Sequence, residues 1–269
     1  MDIGISSACF YPMPTEDTID IIKNLGFTKL EVFMEAYSEY EEDYSLMLKD
    51  KIDECGLQVI SAHSFCSAHE PFMFSEYIRR REDSIRVFKK VLNASRILGA
   101  RYFTFHGNRK EATTANFDFK KFGKEMSTFA EIARDYGIVL AWENVCWCQS
   151  HDPDFIKKTL EYIESDNLAF TLDIKQAFRA SIEPADYIHV MKNRIVNVHI
   201  NDADSRNSCL LPGKGSVDME EILKLLHGYH YNGDCIIEVY STDFSNYEEI
   251  NESKKYLKKI IENSNFSST

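Results

Sequence analysis

Short apolar runs alternate with longer amphipathic stretches along the whole chain. Ile3–Phe10 reads as a strand, and Thr15–Leu25 as a helix stopped by Gly26. Lys29–Met34 is a second strand; a helix through Leu46–Cys55 follows, closed by Gly56, and Leu57–Ser64 is a third strand. Ile85, Phe88, Leu92, Ser95 and Leu98 then recur at three- and four-residue steps, which predicts a long helix ending at Gly99. Arg101–His106 is the fourth strand. Phe122, Met126, Phe129, Ala133 and Tyr136 share one helical face, with a stop at Gly137, and Ile138–Val145 is the fifth strand. A helix from Asp152 to Glu164 starts on an Asp-Pro signal. The sixth strand is Leu168–Ile174, and a short helix covers Pro184–Met191. Arg194–Ile200 is the seventh strand, Asp218–His230 a helix, Gly233–Tyr240 the eighth strand, and Tyr247–Asn263 a last helix.

Eight strands, each followed by a helical stretch, predict an α/β fold: a closed (β/α)8 TIM barrel. An open doubly wound sheet is the competitor. It normally carries a glycine-rich turn after its first strand, and the turn here, CFYPMPTED, has none. No linker or composition break divides the chain. One domain over 1–264 is expected, with a frayed polar tail over 265–269.

The 269 residues suit one barrel, which typically takes roughly 250. The balance of 31 Lys+Arg against 43 Asp+Glu gives −12, which argues against a partner as acidic as DNA. Seven cysteines at irregular spacing do not form a disulfide framework and read as reduced thiols; Cys146-Trp147-Cys148 is a weak metal signal with no second pair. The start, MDIGISSACF, lacks the basic and apolar regions of a signal peptide, and no run of about 18 apolar residues exists to span a membrane. A cytoplasmic protein is expected.

In such a barrel the chemistry collects where strands end. Six consecutive strands each deliver a polar group there: His63, His106, Glu143, Asp173, His199 and Glu238. Four of them cap apolar runs: LAWE at Glu143, FTLD at Asp173, VNVH at His199 and CIIE at Glu238. A carboxylate ending a buried strand is costly unless paired or coordinated. Four such groups with no basic partner at the strand ends point to one divalent cation. Mixed Asp, Glu and His ligands suit Mn, Mg, Co, Zn or Fe without choosing among them. His69, His151, His189, His227 and His230 fall on loops or helices and are read as surface residues.

These residues lie in a series of motifs: SAH at Ser61–His63, FHGN at Phe105–Asn108, WENV at Trp142–Val145, LDIKQA at Leu172–Ala177, NVHINDAD at Asn197–Asp204, PGKGSVD at Pro212–Asp218 and IIEVY at Ile236–Tyr240. The series resembles the xylose isomerase-like barrel superfamily, whose members include D-tagatose 3-epimerase-like enzymes, hydroxypyruvate isomerase, inosose dehydratase and the endonuclease IV branch. The resemblance implies that Glu143, Asp173, His199 and Glu238 hold the metal and that Glu143 and Glu238 are the catalytic acid/base pair. It implies sugar or sugar phosphate isomerisation or epimerisation, by proton transfer through a metal-bound enediolate. His63 and His106 would bind substrate hydroxyls or, with Glu143, a second metal. Gln176 and Arg206 would contact substrate. Lys214 is a candidate for a carboxylate or phosphate. Gln176 stands where many relatives carry a histidine, and an amide is a poor zinc ligand, which weighs against a three-zinc nuclease. An inosose dehydratase-like lyase, an abasic-site nuclease and a non-catalytic sugar-binding barrel stay as alternatives. The implied partner is a small sugar, without nucleic acid or membrane, and a homo-oligomer is allowed.

Overall fold

A computed structural model describes residues 1–64, 69–111 and 114–263. Cys66 and the tail expected over 265–269 lie outside the described residues. The strands are β1 (Ile3–Ser6), β2 (Lys29–Met34), β3 (Gln58–Ser64), β4 (Tyr102–Phe105), β5 (Val139–Glu143), β6 (Leu168–Asp173), β7 (Ile195–Ile200) and β8 (Cys235–Ile237). Each pairs in parallel with its neighbour in chain order, and β8 pairs with β1, so the sheet closes as a barrel. Among the described residues the helices are α1 (Thr15–Asn24), α2 (Glu42–Glu54), α3 (Ile78–Leu98), α4 (Phe119–Asp135), α5 (Pro153–Leu160), α6 (Ile174–Ala180), α7 (Pro184–Met191), α8 (Met219–Gly228) and α9 (Tyr247–Asn263). No helix among them is long and apolar enough to cross a membrane.

The apolar faces read from the sequence pack outside the barrel wall. Phe88 of α3 meets Phe103 and Phe105 of β4 and Phe129 of α4 at ring-centroid distances of 5.8–6.4 Å. The α3 stop at Gly99 adopts φ 82°, a left-handed turn that other residues enter only with strain.

Several strands are shorter than expected. The run Ile3–Phe10 leaves the sheet after Ser6, whose hydroxyl accepts the Ala8 N–H and opens a 3-10 turn over Ser7–Phe10. The run Leu168–Ile174 breaks at Asp173. Its carboxylate accepts the Gln176 N–H, so the strand's last residue is also the N-cap of α6. Helix α6 is absent from the pattern-based expectation, because the apolar run carries straight through the junction.

Side chains alternate between core and barrel lumen at steps of two. One lumen layer holds Glu31, Ser61, Thr104, Thr171 and Asn197, all fully buried. Two residues further along β3, β6 and β7 stand His63, Asp173 and His199, and the same step from Thr104 and Ala141 reaches His106 and Glu143. Glu238 follows the last residue of β8. The polar groups read as strand endings therefore form one ring at the C-terminal mouth.

Candidate metal centre

Glu143, Asp173 and His199 are 0–1% exposed and Glu238 is 6% exposed. One ligand atom from each lies within 4.8 Å of all the others. His199 is central. Its Nδ1 lies 3.0 Å from Glu143 Oε1, 3.2 Å from Glu238 Oε2 and 3.8 Å from Asp173 Oδ2. Its Nε2 points down the lumen and lies 2.9 Å from Glu31 Oε2.

That last contact fixes the ring. The Glu31 carboxylate accepts a hydrogen bond from Nε2–H, so Nδ1 is the nitrogen that faces the mouth and can ligate an ion once its own proton is displaced. This is how a carboxylate orients a ligating histidine. Glu31 Oε2 is also the acceptor for Ser61 Oγ at 2.7 Å and Asn197 Nδ2 at 3.1 Å. Glu31 was not singled out from sequence. The available signal was its position, a lone carboxylate inside the apolar strand KLEVFM.

A second cluster adjoins the first. His63 Nε2 and His106 Nε2 are 2.8 Å apart, and His106 Nε2 lies 2.7 Å from Glu143 Oε2. The latter contact is at ion-pair distance, and Glu143 Oε2 makes no hydrogen bond. His63, His106 and Glu143 can together face one ion, as can Glu31, His63 and His199.

Lys175 is the other residue that strand-end reasoning missed. Although it is a lysine it is only 4% exposed. Its Nζ donates to Glu238 Oε2 at 2.7 Å and lies 3.3 Å from Asp173 Oδ2. It sits on α6, so missing that helix hid it. The Asp173-x-x-Gln176 spacing, with an N-cap and an amide three residues on, was the signal that could have revealed it.

Charge governs the whole cluster. Burial alone would raise the pKa of Glu143, but His106 and His199 outweigh it and hold the carboxyl well below the usual range. Burial is likewise outweighed at Glu238, here by Lys175 and His199. At Asp173 burial prevails over Lys175, and the pKa rises. Burial opposes charge on His199, yet Glu31 and Glu238 carry its pKa well above the ordinary histidine value.

The donors fit a divalent cation. Glu31 Oε1, Glu143 Oε2, Asp173 Oδ2 and His63 Nδ1 are buried without a hydrogen-bond partner; among them Asp173 Oδ2, 3.3 Å from Lys175 Nζ, and Glu143 Oε2, 2.7 Å from His106 Nε2, have a basic nitrogen close by. Such atoms are costly unless something with positive charge or a proton meets them. Oxygen and imidazole donors converging in one place are the chemistry that supplies it.

The ring opens into a cavity of about 380 Å³ lined by His63, His106, Glu143, Asp173 and Glu238 and by Phe33, Trp147, Lys175, Gln176, Arg179 and Tyr240. Gln176 stands at this wall, its Oε1 accepting the Cys146 N–H at 3.2 Å. Arg206 does not line the cavity; it is exposed in the loop after β7, where its backbone N–H donates to Asp204. Lys214 is also exposed and pairs with Glu252 at 3.1 Å. His69, expected at the surface, is 1% exposed. The 3-10 turn Glu70–Phe74 carries it and Glu70 inward, and Glu70 Oε2 accepts the N–H groups of His106 and Gly107.

A model of the xylose isomerase-like TIM barrel matches residues 19–260. The chain belongs to this family. An uncharacterized protein of Methanocaldococcus jannaschii, MJ1311, is 24% identical over 97% of this chain and 90% of its own length. A solved D-tagatose 3-epimerase-like protein superposes with a TM-score of 0.82 at 22% identity, covering 98% of both chains. A probable 3-DHS dehydratase, AsbF, from Bacillus anthracis superposes at 0.76 with 12% identity, covering 96% of this chain and 99% of its own. At these identities the superpositions establish a shared fold.

Proposed function

We propose that this protein is a metal-dependent enzyme that isomerises or epimerises a small ketose or its phosphate, one carboxylate removing a proton beside the carbonyl and a second returning a proton to the substrate. Glu143, Asp173, His199 and Glu238 are the residues that would hold the ion, with Glu31 orienting His199. A divalent cation bound there supplies Lewis-acid polarisation of a carbonyl and offsets negative charge developing on its oxygen.

The observation that carries the reading is the convergence of two buried carboxylates at the barrel mouth. Glu143 lies against His106 and Glu238 against Lys175. They arise from β5 and β8, so they approach a substrate in the mouth from different strands. Ionised Glu143 is a base for a proton beside a carbonyl, and Glu238 can hold or return one; the roles exchange with the direction of reaction. His63 and His106 face the same cavity and can bind hydroxyls. Phe33 and Trp147 give the same cavity an apolar wall. A second ion at His63, His106 and Glu143, a cytoplasmic location and self-association belong to the same proposal. Arg206 can contribute to substrate binding only if its loop reaches over the cavity.

Glu143→Gln or Glu238→Gln is expected to suppress solvent deuterium exchange into a bound ketose by at least a hundredfold, as loss of a general acid or base does. Exchange at the wild-type rate in both variants rejects the assignment. A dehydratase reading begins with the same proton abstraction, and loss of water from the product mass distinguishes it.

A further inference from the structure

Two cations line the cavity, and both come from α6. Lys175 is committed to Glu238 and Asp173. Arg179 is not committed to any acid: among the described residues it has no ion pair. Its Nε donates to Ser208 Oγ at 3.1 Å and its Nη1 to Tyr240 Oη at 2.6 Å. Both cations stand against the Tyr240 ring, each 5.2 Å from its centroid. Tyr240 therefore fixes the exposed guanidinium from one side and Ser208 fixes it from another, and among the described residues its remaining N–H groups have no partner at the cavity mouth.

We infer that Arg179 is the seat of an anionic group, a carboxylate or a phosphate monoester, at the end of the substrate remote from the metal ligands; this rests on the reading of the site given above. Three features support it. Arginine presents a planar fork matched to two oxygens of such a group. The chain carries −12 overall, so an unpaired arginine held at the mouth by two hydroxyls is the local exception to a field that repels anions. The third feature is geometric. Asp173 caps α6 and Arg179 lies six residues on, roughly 9 Å along the axis at 1.5 Å per residue, longer than an extended six-carbon chain and so leaving room for a terminal carboxylate or phosphate. The other wall cannot serve. Glu35 lines it, after β2, four strands round the barrel from α6. A bound sugar is thus oriented by charge, with its anion toward Arg179 and away from Glu35.

The test is calorimetric titration of Mn-loaded protein with D-fructose, D-fructose 6-phosphate and D-gluconate, each with wild type, Arg179→Gln and Arg179→Lys. At least one anionic ligand is expected to bind wild type ten- to a hundredfold more tightly than the neutral sugar, the range for a charge-assisted hydrogen-bonded contact. Arg179→Gln is expected to abolish that preference and Arg179→Lys to restore part of it. The phosphate and carboxylate arms show which anion is seated. Equal affinity for neutral and anionic ligands in wild type, or an unchanged preference in Arg179→Gln, overturns the inference. Mn content measured on the same samples reports separately on the metal site, so a failure there is not confused with a failure at Arg179.

Discussion

Replacing Glu31 tests whether the layer beneath the mouth sets the metal site. Its Oε2 accepts from Ser61 Oγ at 2.7 Å, His199 Nε2 at 2.9 Å and Asn197 Nδ2 at 3.1 Å, and Glu31 is fully buried. Glu31→Ala strands these three donors and a fourth, Thr104 Oγ1 at 3.4 Å. At about 1–1.5 kcal/mol for each bond, the folded state loses about 4–6 kcal/mol. Glu31→Gln keeps one carbonyl oxygen in place and should lose far less stability. Metal affinity responds differently. With no carboxylate to accept the Nε2 proton, His199 is free to change tautomer and tilt, and loss of such a partner costs about 10–100-fold in affinity. Competition titration of Mn against a chelating dye, beside urea denaturation of the same samples, separates the two effects. Glu31→Gln is expected to stay folded and bind Mn about tenfold more weakly. Wild-type Mn affinity in a folded Glu31→Ala variant would refute the orienting role.

Two further outcomes follow from charge. Lys175→Met removes a positive charge 2.7 Å from Glu238 and 3.3 Å from Asp173, so Mn binding should tighten by at least about tenfold, since like charges no longer share the site; weaker binding in the chelator assay refutes this. Burial pushes Glu70 up to about 7, so the folded protein keeps a proton that the unfolded chain releases near its ordinary value of 4.5. The resulting stability is full below about pH 4.5 and is lost as pH rises through 7, on the order of 3 kcal/mol. Because one oxygen, Oε2, accepts both backbone N–H groups, Glu70→Gln can keep them and should remove this slope; urea midpoints at pH 5 and pH 8 that fall equally in both proteins exclude it.

The sequence by itself determined the wall. Apolar runs at strand length, separated by helices with left-handed glycine stops, admit few closures, and the expected order of eight strands is the order that pairs. It also determined which strand endings carry Glu143, Asp173, His199 and Glu238, because a carboxylate or imidazole terminating an apolar run is conspicuous in one dimension. Tertiary structure decided the rest. Glu31 becomes His199's partner only when barrel closure brings β2 and β7 face to face across the lumen, a contact 168 positions apart in sequence. Lys175 becomes a buried cation only because α6 starts on the last residue of β6, turning the side chain toward Glu238 and not toward solvent. Arg179 and Arg206 are alike as letters, and only one lines the cavity. Strand endings follow from local periodicity, which is written along the chain. The groups that pair with them are set by distances across the barrel, which no local pattern encodes.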